Sequence, residues 1–471
     1  MNIIILGAGQ VGTSLAEMLA REPDNDITLV DLDTVYLQKL QDHLDIRTVT
    51  GHASDPDVLE EAGLEMADML IAVTRSDETN LVACQLAYIL HRTPTKIARV
   101  RNTAYLNHPA LFRREENDAA LAVDVLISPE NLVTEHILRL VSHPGALQVI
   151  DFADGKLRLV AFRAEYGARM VDHTIAELKQ LLDKGIETRI VAIYRDNEVV
   201  LPRGDTVIRE NDEVFFLARP QDIDAISRAL RRQKNRRSDS RNIMIAGGGN
   251  IGLALARQLE HDHNVKVIEH NLQRARFLAE QLDNTIVVHG DITDKALLQD
   301  ENIDDIDLFI TVTNRDEANI ISSLLAKKLG VKRVISLINN QSYVDLLHLN
   351  QIDVAISADR ITTNRLLHYL RAGDTVRAVT LRRGTAEAIE LVVHGSENTS
   401  RVIGRRLIDI PWPEEVTVGA IVREGQVIFA RKDLVIEAED HIVLFAASKA
   451  SLEAVYELFA PEETARKHWW L

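Results

Sequence analysis

Short runs of apolar, mostly β-branched residues recur along the chain, with amphipathic stretches between them. "NIIIL" (2–6), "ITLVD" (27–31), "IRTVT" (46–50), "MLIAV" (69–73), "KIARV" (96–100) and "DVLIS" (124–128) are almost uninterrupted by polar residues. That pattern predicts strands of a parallel sheet covered on both faces, because a half-exposed strand would alternate. "VGTSLAEMLARE" (11–22), "YLQKLQDHL" (36–44), "DVLEEAGL" (57–64), "DETNLVACQLAYILH" (77–91) and "TAYLNHPALFRR" (103–114) lie between them and predict crossover helices. Strands alternating with helices imply an open, doubly wound α/β sheet.

From residue 150 to 218 the pattern becomes β-rich and short-looped, in "LRLVAFRA", "TRIVAIYRDNEVVLP" and "DEVFFLA". The whole succession then repeats. "IIILGAGQVG" (3–12) answers to "IMIAGGGNIG" (243–252), and "VTGHASDPDVL" (49–59) to "VVHGDITDKALL" (287–298). "AVTRSDETN" (72–80) answers to "TVTNRDEAN" (311–319), and "VDVLISPENLVTEHIL" (123–138) to "IDVAISADRITTNRLL" (352–367). "RAVTLRR", "VTVGAIVREGQVIFA" and "DHIVLFA" repeat the β-rich part. A repeat distance of about 230 to 240 residues is too long for a solenoid, so each half is a folding unit of its own. The fold expected is α/β: two tandem Rossmann-type doubly wound domains, each followed by a small α+β C-terminal subdomain. The expected boundaries are 1–140 and 141–230 for the first half, 242–370 and 371–471 for the second, with a basic linker at 231–241. That linker, inside "RALRRQKNRRSDSR", has no apolar stripe; a solvated connector is the simpler reading, and a contact with an anionic membrane surface is the functional one.

Charge narrows the partners. The chain of 471 residues carries 54 Lys and Arg against 71 Asp and Glu, a net charge of −17, which makes nucleic acid a poor partner. A single cysteine, Cys84, excludes an internal disulfide and a thiolate metal cage. No stretch of apolar residues is long enough to span a bilayer and no signal peptide is legible, so a cytoplasmic location is expected.

The glycine loops carry the clearest chemistry. In the first, Gly7 permits a tight turn after the strand, Gly9 lets the backbone approach a pyrophosphate, and Gly12 allows helix and sheet to pack closely. Phosphates would then lie at a helix N-terminus, with Ala8, Gln10 and Val11 completing the loop. Asp31 closes the second strand, where a carboxylate accepts hydrogen bonds from ribose hydroxyls and disfavours a 2′-phosphate, so NAD is preferred to NADP. The second half repeats the loop as Gly247, Gly248, Gly249, Asn250, Ile251 and Gly252, with Glu269 at the acid position; its longer side chain leaves the geometry more open. Val73 and Thr74, and likewise Val312 and Thr313, fall at carboxyl ends of strands where a ligand would lie, although the threonines also suit helix caps before Asp77 and Asp316. Arg99 suits a phosphate clamp, and Leu337 stands in the corresponding stretch, so the two sites are expected to differ.

No acid–base constellation accompanies the loops. His173 reads as a helix-start residue, His394 and His441 as turn residues, and no H-E-x-x-H, C-x-x-C, G-x-S-x-G or Walker lysine occurs. A dehydrogenase with duplicated domains remains the alternative from another class, and a scaffold with empty loops a third.

Taken as a set, "IIILGAGQVG", "TGHASDP", "ADMLIAVTRSDETN", "CQLA", "GALQVIDFADGK", "GGGNIG", "TVTNRDEANI", "YVDLL" and "RRGTAEAIE" closely resemble, in that order, the TrkA family of cytosolic subunits of bacterial Trk potassium-uptake systems. The resemblance spans essentially the whole chain. It implies tandem regulator-of-potassium-conductance modules, no enzymatic activity, and a peripheral position on the cytoplasmic face of the inner membrane. It further implies gating of a Trk-type potassium-translocating membrane subunit in response to NAD or NADH and, in some relatives, ATP or ADP. By resemblance, Gly7 to Val11, Asp31, Val73, Thr74 and Arg99 would form one site, and Gly247 to Ile251, Glu269, Val312 and Thr313 the other. A ring, here a homotetramer, is implied for the assembly. "LVACQLAYIL" (81–90) suits either subunit contacts or core packing. Trp469 and Trp470 suit either an anchor to a partner or the membrane interface, or a fold-back onto the last subdomain.

Overall fold

The computed structural model describes residues 1–20, 25–113, 119–196, 198–231, 240–340, 342–343, 351–370, 375–381, 386–397 and 399–459. Most of the basic linker, "YVDLL" beyond Tyr343, part of "RRGTAEAIE" and the two terminal tryptophans lie outside the described residues.

Each half opens with a six-stranded parallel sheet. In the first, β1 (Asn2–Leu6), β2 (Asp26–Asp31), β3 (Arg47–Thr50), β4 (Met69–Ala72), β5 (Thr95–Arg99) and β6 (Val125–Ile127) are ordered β3-β2-β1-β4-β5-β6. In the second, β12 (Asn242–Ala246), β13 (Asn264–Glu269), β14 (Ile286–His289), β15 (Leu308–Thr311), β16 (Arg333–Leu337) and β17 (Val354–Ile356) repeat it as β14-β13-β12-β15-β16-β17. The order in which strands are added reverses beside β1 and beside β12, while all strands stay parallel, and that switch opens a crevice at the carboxyl ends of these strands. Central strands are buried on both faces, from Ile3 to Leu6 and from Ile243 to Ala246, as the unbroken apolar runs predict.

Helices follow the amphipathic stretches with one exception. The first unit has α1 (Gln10–Leu19), α2 (Thr34–Gln41), α3 (Pro56–Glu61), α4 (Asp77–His91), α5 (Thr103–Leu106) and α6 (Pro129–Ser142). Helix α4 begins where Ser76 accepts the Thr79 N–H, carries Asp77 and Glu78 in its first turn, and stops at Arg92 in a left-handed conformation (φ 54°). The helix expected over 103–114 is only the single turn of α5 followed by a 3₁₀ turn at Pro109–Leu111. Pro109 has no N–H for an α-helical bond and disfavours helix at the residue before it.

The small subdomains are antiparallel. After α6 come β7 (Ala146–Phe152), β8 (Leu157–Arg163), α7 (Leu178–Leu181), β9 (Thr188–Arg195), β10 (Glu198–Val200), β11 (Glu213–Ala218) and α8 (Ile223–Leu230). The second unit has α9 (Asn250–Leu259), α10 (Leu272–Gln281), α11 (Lys295–Asp300), α12 (Asp316–Lys328) and α13 (Ala358–Leu370). It is followed by β18 (Thr375–Leu381), β19 (Ala386–Val392), β20 (Val416–Arg423), β21 (Gln426–Phe429), β22 (His441–Ala446) and α14 (Lys449–Phe459). Sheet orders β10-β9-β11-β8-β7 and β21-β20-β22-β19-β18 place "RAVTLRR" opposite β7, so the counterpart of "LRLVAFRA" is β19 and not "RAVTLRR". His441 opens strand β22 rather than a turn, with Nδ1 2.6 Å from Oε1 of buried Glu390.

The two halves exchange their last Rossmann helices. Val133, Ile137 and Leu140 of α6 pack with Ile243, Ile245 and Leu255 of the second unit. Leu366 of α13 packs with Ile3, Ile5, Leu15 and Leu19 of the first. Each exchanged side chain buried in full is worth about 1.5–3 kcal/mol, so the exchange joins the halves into one body. The two antiparallel sheets also share a core, in which Phe215 and Leu217 meet Leu381, Ala388, Val443 and Phe445. Three guanidinium groups close the turn after α6: Arg231 donates to Pro144 O, Arg241 to Val141 O, and half-buried Arg333 to Ala146 O. Burial pushes the Arg333 guanidinium down to about 10.

Candidate functional site

Both glycine loops have the backbone the motif requires. Gly7 and Gly247 lie at φ 102° and 113°, where side chains are disfavoured. A Cβ on Gly12 or on Gly252 would fall 1.9 Å from the carbonyl oxygen of Gly7 or Gly247, so neither position accepts any other residue unchanged. At Gly9 and Gly249 the same construction meets nothing within 4 Å, which leaves open space above the loop. These two glycines are the N-caps of α1 and α9, and no side chain caps either helix. Free N–H groups and the helix dipole therefore face that space, which fits a phosphate.

The acid positions hold the loops as well as facing the crevice. Asp31 accepts the Ala8 N–H at 2.6 Å and the Asp33 N–H at 3.0 Å. Glu269, buried, accepts the Gly248 N–H and the Asn271 N–H, both at 2.8 Å. The longer side chain thus makes the same pair of bonds, and each carboxylate keeps acceptor capacity for ribose hydroxyls.

Val73 and Thr74 lie beside Gly7, and Val312 and Thr313 beside Gly247, as contact distances of 3.0 to 3.2 Å to a Cβ there show. The threonines do not cap the following helices. Thr74 donates its hydroxyl to Asn80 Oδ1 at 2.6 Å and its N–H to the same oxygen at 3.0 Å, while Asn80 Nδ2 donates to Arg99 O at 2.9 Å. Thr313 and Asn319 repeat this at 2.7 and 3.1 Å, and Asn319 Nδ2 donates to Leu337 O at 2.9 Å. Asn80 and Asn319 are fully buried and tie together the strand ends that border the crevice. Sequence reasoning missed them, although "DETN" and "DEAN" carried the signal. Asp77 accepts the N–H groups of Arg101 and Asn102, and Asp316 those of Asn339 and Asn340.

A cleft of about 850 Å³ lies over the second loop, and residues of both units line it. The second unit supplies Gly247, Gly249, Asn250, Glu269, Arg274 and Thr313; the first supplies Gln10, Arg99, Arg101 and Glu130. Leu337 is in the lining too, at the strand position of Arg99, but the cleft is not short of cations. The expected contrast between a clamped and an unclamped site has to be redrawn, because Arg99 lines the same cleft as the second loop. Burial and the like charge of Arg101 lower the Arg99 pKa, opposed by Glu130, Asp359 and Asp77. Burial, with Asp316, raises the Asp359 carboxyl against the pull of Arg99 and Arg101. Four shielded side-chain atoms with no hydrogen-bond partner meet here: Nε of Arg99, Nε of Arg101, Oε2 of Glu130 and Nη2 of Arg274. Arg101 Nε is 3.7 Å from Glu130 Oε1, beyond hydrogen-bond range. A shielded polar atom without a hydrogen bond is costly, and a polar ligand in the cleft would satisfy it.

Comparison with known proteins follows this geometry closely. Residues 3–129 and 243–358 match the TrkA-N domain, and residues 159–231 and 397–460 match the TrkA-C domain. The chain belongs to the TrkA family. A Trk system potassium uptake protein TrkA from Halomonas elongata is 52% identical, with 98% of each chain covered. The protein of the same name from Vibrio alginolyticus is 49% identical over 98% of this chain and 99% of its own. Among solved structures, the RCK domain of GsuK superposes with a TM-score of 0.60 at 18% identity, covering 97% of this chain and 94% of that one. The GsuK channel bound to NAD gives the same score and identity over 97% and 78%. Membership in the TrkA family makes the chain a regulatory potassium-transport subunit and sets aside the dehydrogenase alternative. Among the described residues, no helix is long and apolar enough to cross a membrane.

Proposed function

We propose that the chain senses adenine nucleotides, NAD or NADH foremost and ATP or ADP besides, and uses them to control potassium passage through a Trk-type membrane subunit. In this reading it sits peripherally on the cytoplasmic face of the inner membrane, self-assembled as a homotetrameric ring. The observation that carries it is that four shielded polar atoms without hydrogen bonds belong to side chains lining a cleft floored by an uncapped glycine loop. Ala8, Gln10 and Val11 complete the first cradle, and Gly248, Asn250 and Ile251 the second. A fold neighbour solved with NAD supports the ligand class.

Control follows from the exchange of helices. Glu130 and Asp359 stand in the first turns of α6 and α13, and both helices pack on the opposite unit. A ligand that pairs with Arg99, Arg101 or Glu130 therefore pulls on the contact between units. It shifts the conformational balance by its difference in affinity for the two states, typically about 1–3 kcal/mol. Titration calorimetry of the purified chain tests the binding step. NAD or ADP should release heat that the Asp31→Ala, Glu269→Ala double variant loses, and a wild-type chain silent to every adenine nucleotide would overturn the reading.

A further inference from the structure

We infer that Arg274 is a phosphate-binding residue of the second unit, one that makes its affinity depend on ligand phosphate more steeply than that of the first. The inference rests on the nucleotide-binding reading above and deepens it. The residue occupies one definable station: Asn271 caps α10 by accepting the Arg274 N–H, as Asp33 caps α2 by accepting the Tyr36 N–H. The first unit therefore has a neutral phenol where the second has a cation.

Their surroundings differ accordingly. Tyr36 Oη lies 3.4 Å from Thr13 Oγ1, a contact between two hydroxyls. Arg274 instead donates Nε to Gly248 O at 2.7 Å, which holds its guanidinium against the middle of the glycine loop. The ring of Phe277 supports it from one side, 4.8 Å away. Nη2 is shielded from water, has no partner, and belongs to a side chain that lines the cleft beside Gly247, Gly249 and Asn250. A planar cation with one edge anchored to the loop and another unsatisfied matches a phosphate oxygen at the uncapped start of α9. Arg274 Nη2 makes no hydrogen bond to Glu269, whose oxygens accept the Gly248 and Asn271 N–H groups.

Titration calorimetry with ADP, NAD and adenosine tests this on the full chain. Arg274→Gln should weaken one class of ADP and NAD sites by roughly tenfold, the worth of one charged hydrogen bond, and leave adenosine unchanged. Arg274→Lys should recover part of the loss. The reciprocal Tyr36→Arg, which leaves the second unit untouched, should strengthen ADP binding at the other class and serves if Arg274→Gln fails to fold. Unaltered ADP binding in both Arg274→Gln and Tyr36→Arg would overturn the inference, as would an equal loss for adenosine. A wild-type chain that binds no nucleotide is a different result, and it removes the parent reading.

Discussion

The two Rossmann units share a skeleton and differ in what they hang on it. Loop glycines, the paired backbone bonds of Asp31 and Glu269, and the buried brackets of Asn80 and Asn319 coincide nearly bond for bond. Around them Tyr36 faces Arg274, Arg99 faces Leu337, and Arg101 faces Asn339 as counterparts in the repeat. The difference teaches that the two repeats keep the glycine-loop skeleton and vary the side chains placed around it. It also shows that the cradles are not separate, because first-unit arginines line the second-unit cleft.

The shared skeleton is open to the largest test. Gly12→Val and Gly252→Val each force atoms into a carbonyl oxygen 1.9 Å from the new Cβ, and each should cost about 3 kcal/mol, the upper end for over-packing. Thermal unfolding should show matched losses; a loss in one variant alone would mean that the loops pack differently. Asn80→Ala and Asn319→Ala come next. Each leaves a half-buried threonine N–H and a strand-end carbonyl unpaired, at about 1–3 kcal/mol by denaturant unfolding.

The differing parts are tested through affinity. Asp31→Ala and Glu269→Ala should each weaken NAD at one class of site by roughly ten- to a hundredfold, from about 1.5–3 kcal/mol for a charged hydrogen bond. Arg99→Leu sharpens the comparison further. A clamp confined to the first unit would affect one class in calorimetry, whereas the cleft geometry predicts weakening, by roughly tenfold, at the second-unit site as well.

The smallest effect lies in the core. Ala72, Cys84 and Ala98 of the first unit correspond to Thr311, Ser323 and Ser336 of the second, whose buried hydroxyls pair at 2.8 and 3.4 Å. Replacing those three by the first-unit set should change stability by no more than about 1 kcal/mol, since donors and acceptors leave together. Cys84 is fully buried, its thiol pushed up to about 12, so it should resist thiol reagents until the chain unfolds.

Much of this fold was legible because its signals are local. Unbroken apolar runs gave the parallel strands, and Ser76 with Asp77 and Glu78 set the start of α4 where the pattern placed it. The helix exchange was not legible. The apolar faces of α6 and α13 say that each is buried, but nothing in their periodicity names the sheet they cover. For the same reason the repeat places Arg99 at a strand end and Leu337 at the matching position, yet does not show that Arg99 shares a cleft with the second loop. Arg274 is not legible as a site residue because it lies on a helix beyond the motif, where only the shared position after the Asp33 and Asn271 caps sets it against Tyr36. The shift of "RAVTLRR" from β8 to β7 as its counterpart has a similar cause, since short β runs of like composition cannot fix their place in an antiparallel sheet.

Potassium flux is the most direct test of the central claim, that nucleotide occupancy of two unequal cradles controls transport. Vesicles should hold the purified chain with a Trk-type membrane subunit, and flux should be followed as NAD, NADH, ATP and ADP are added in turn. The account predicts a change of several-fold with at least one nucleotide, typical of about 1 kcal/mol or more of coupling, and its loss in the Asp31→Ala, Glu269→Ala double variant. Flux that is the same with and without every nucleotide, or a response that survives in the double variant, would contradict it.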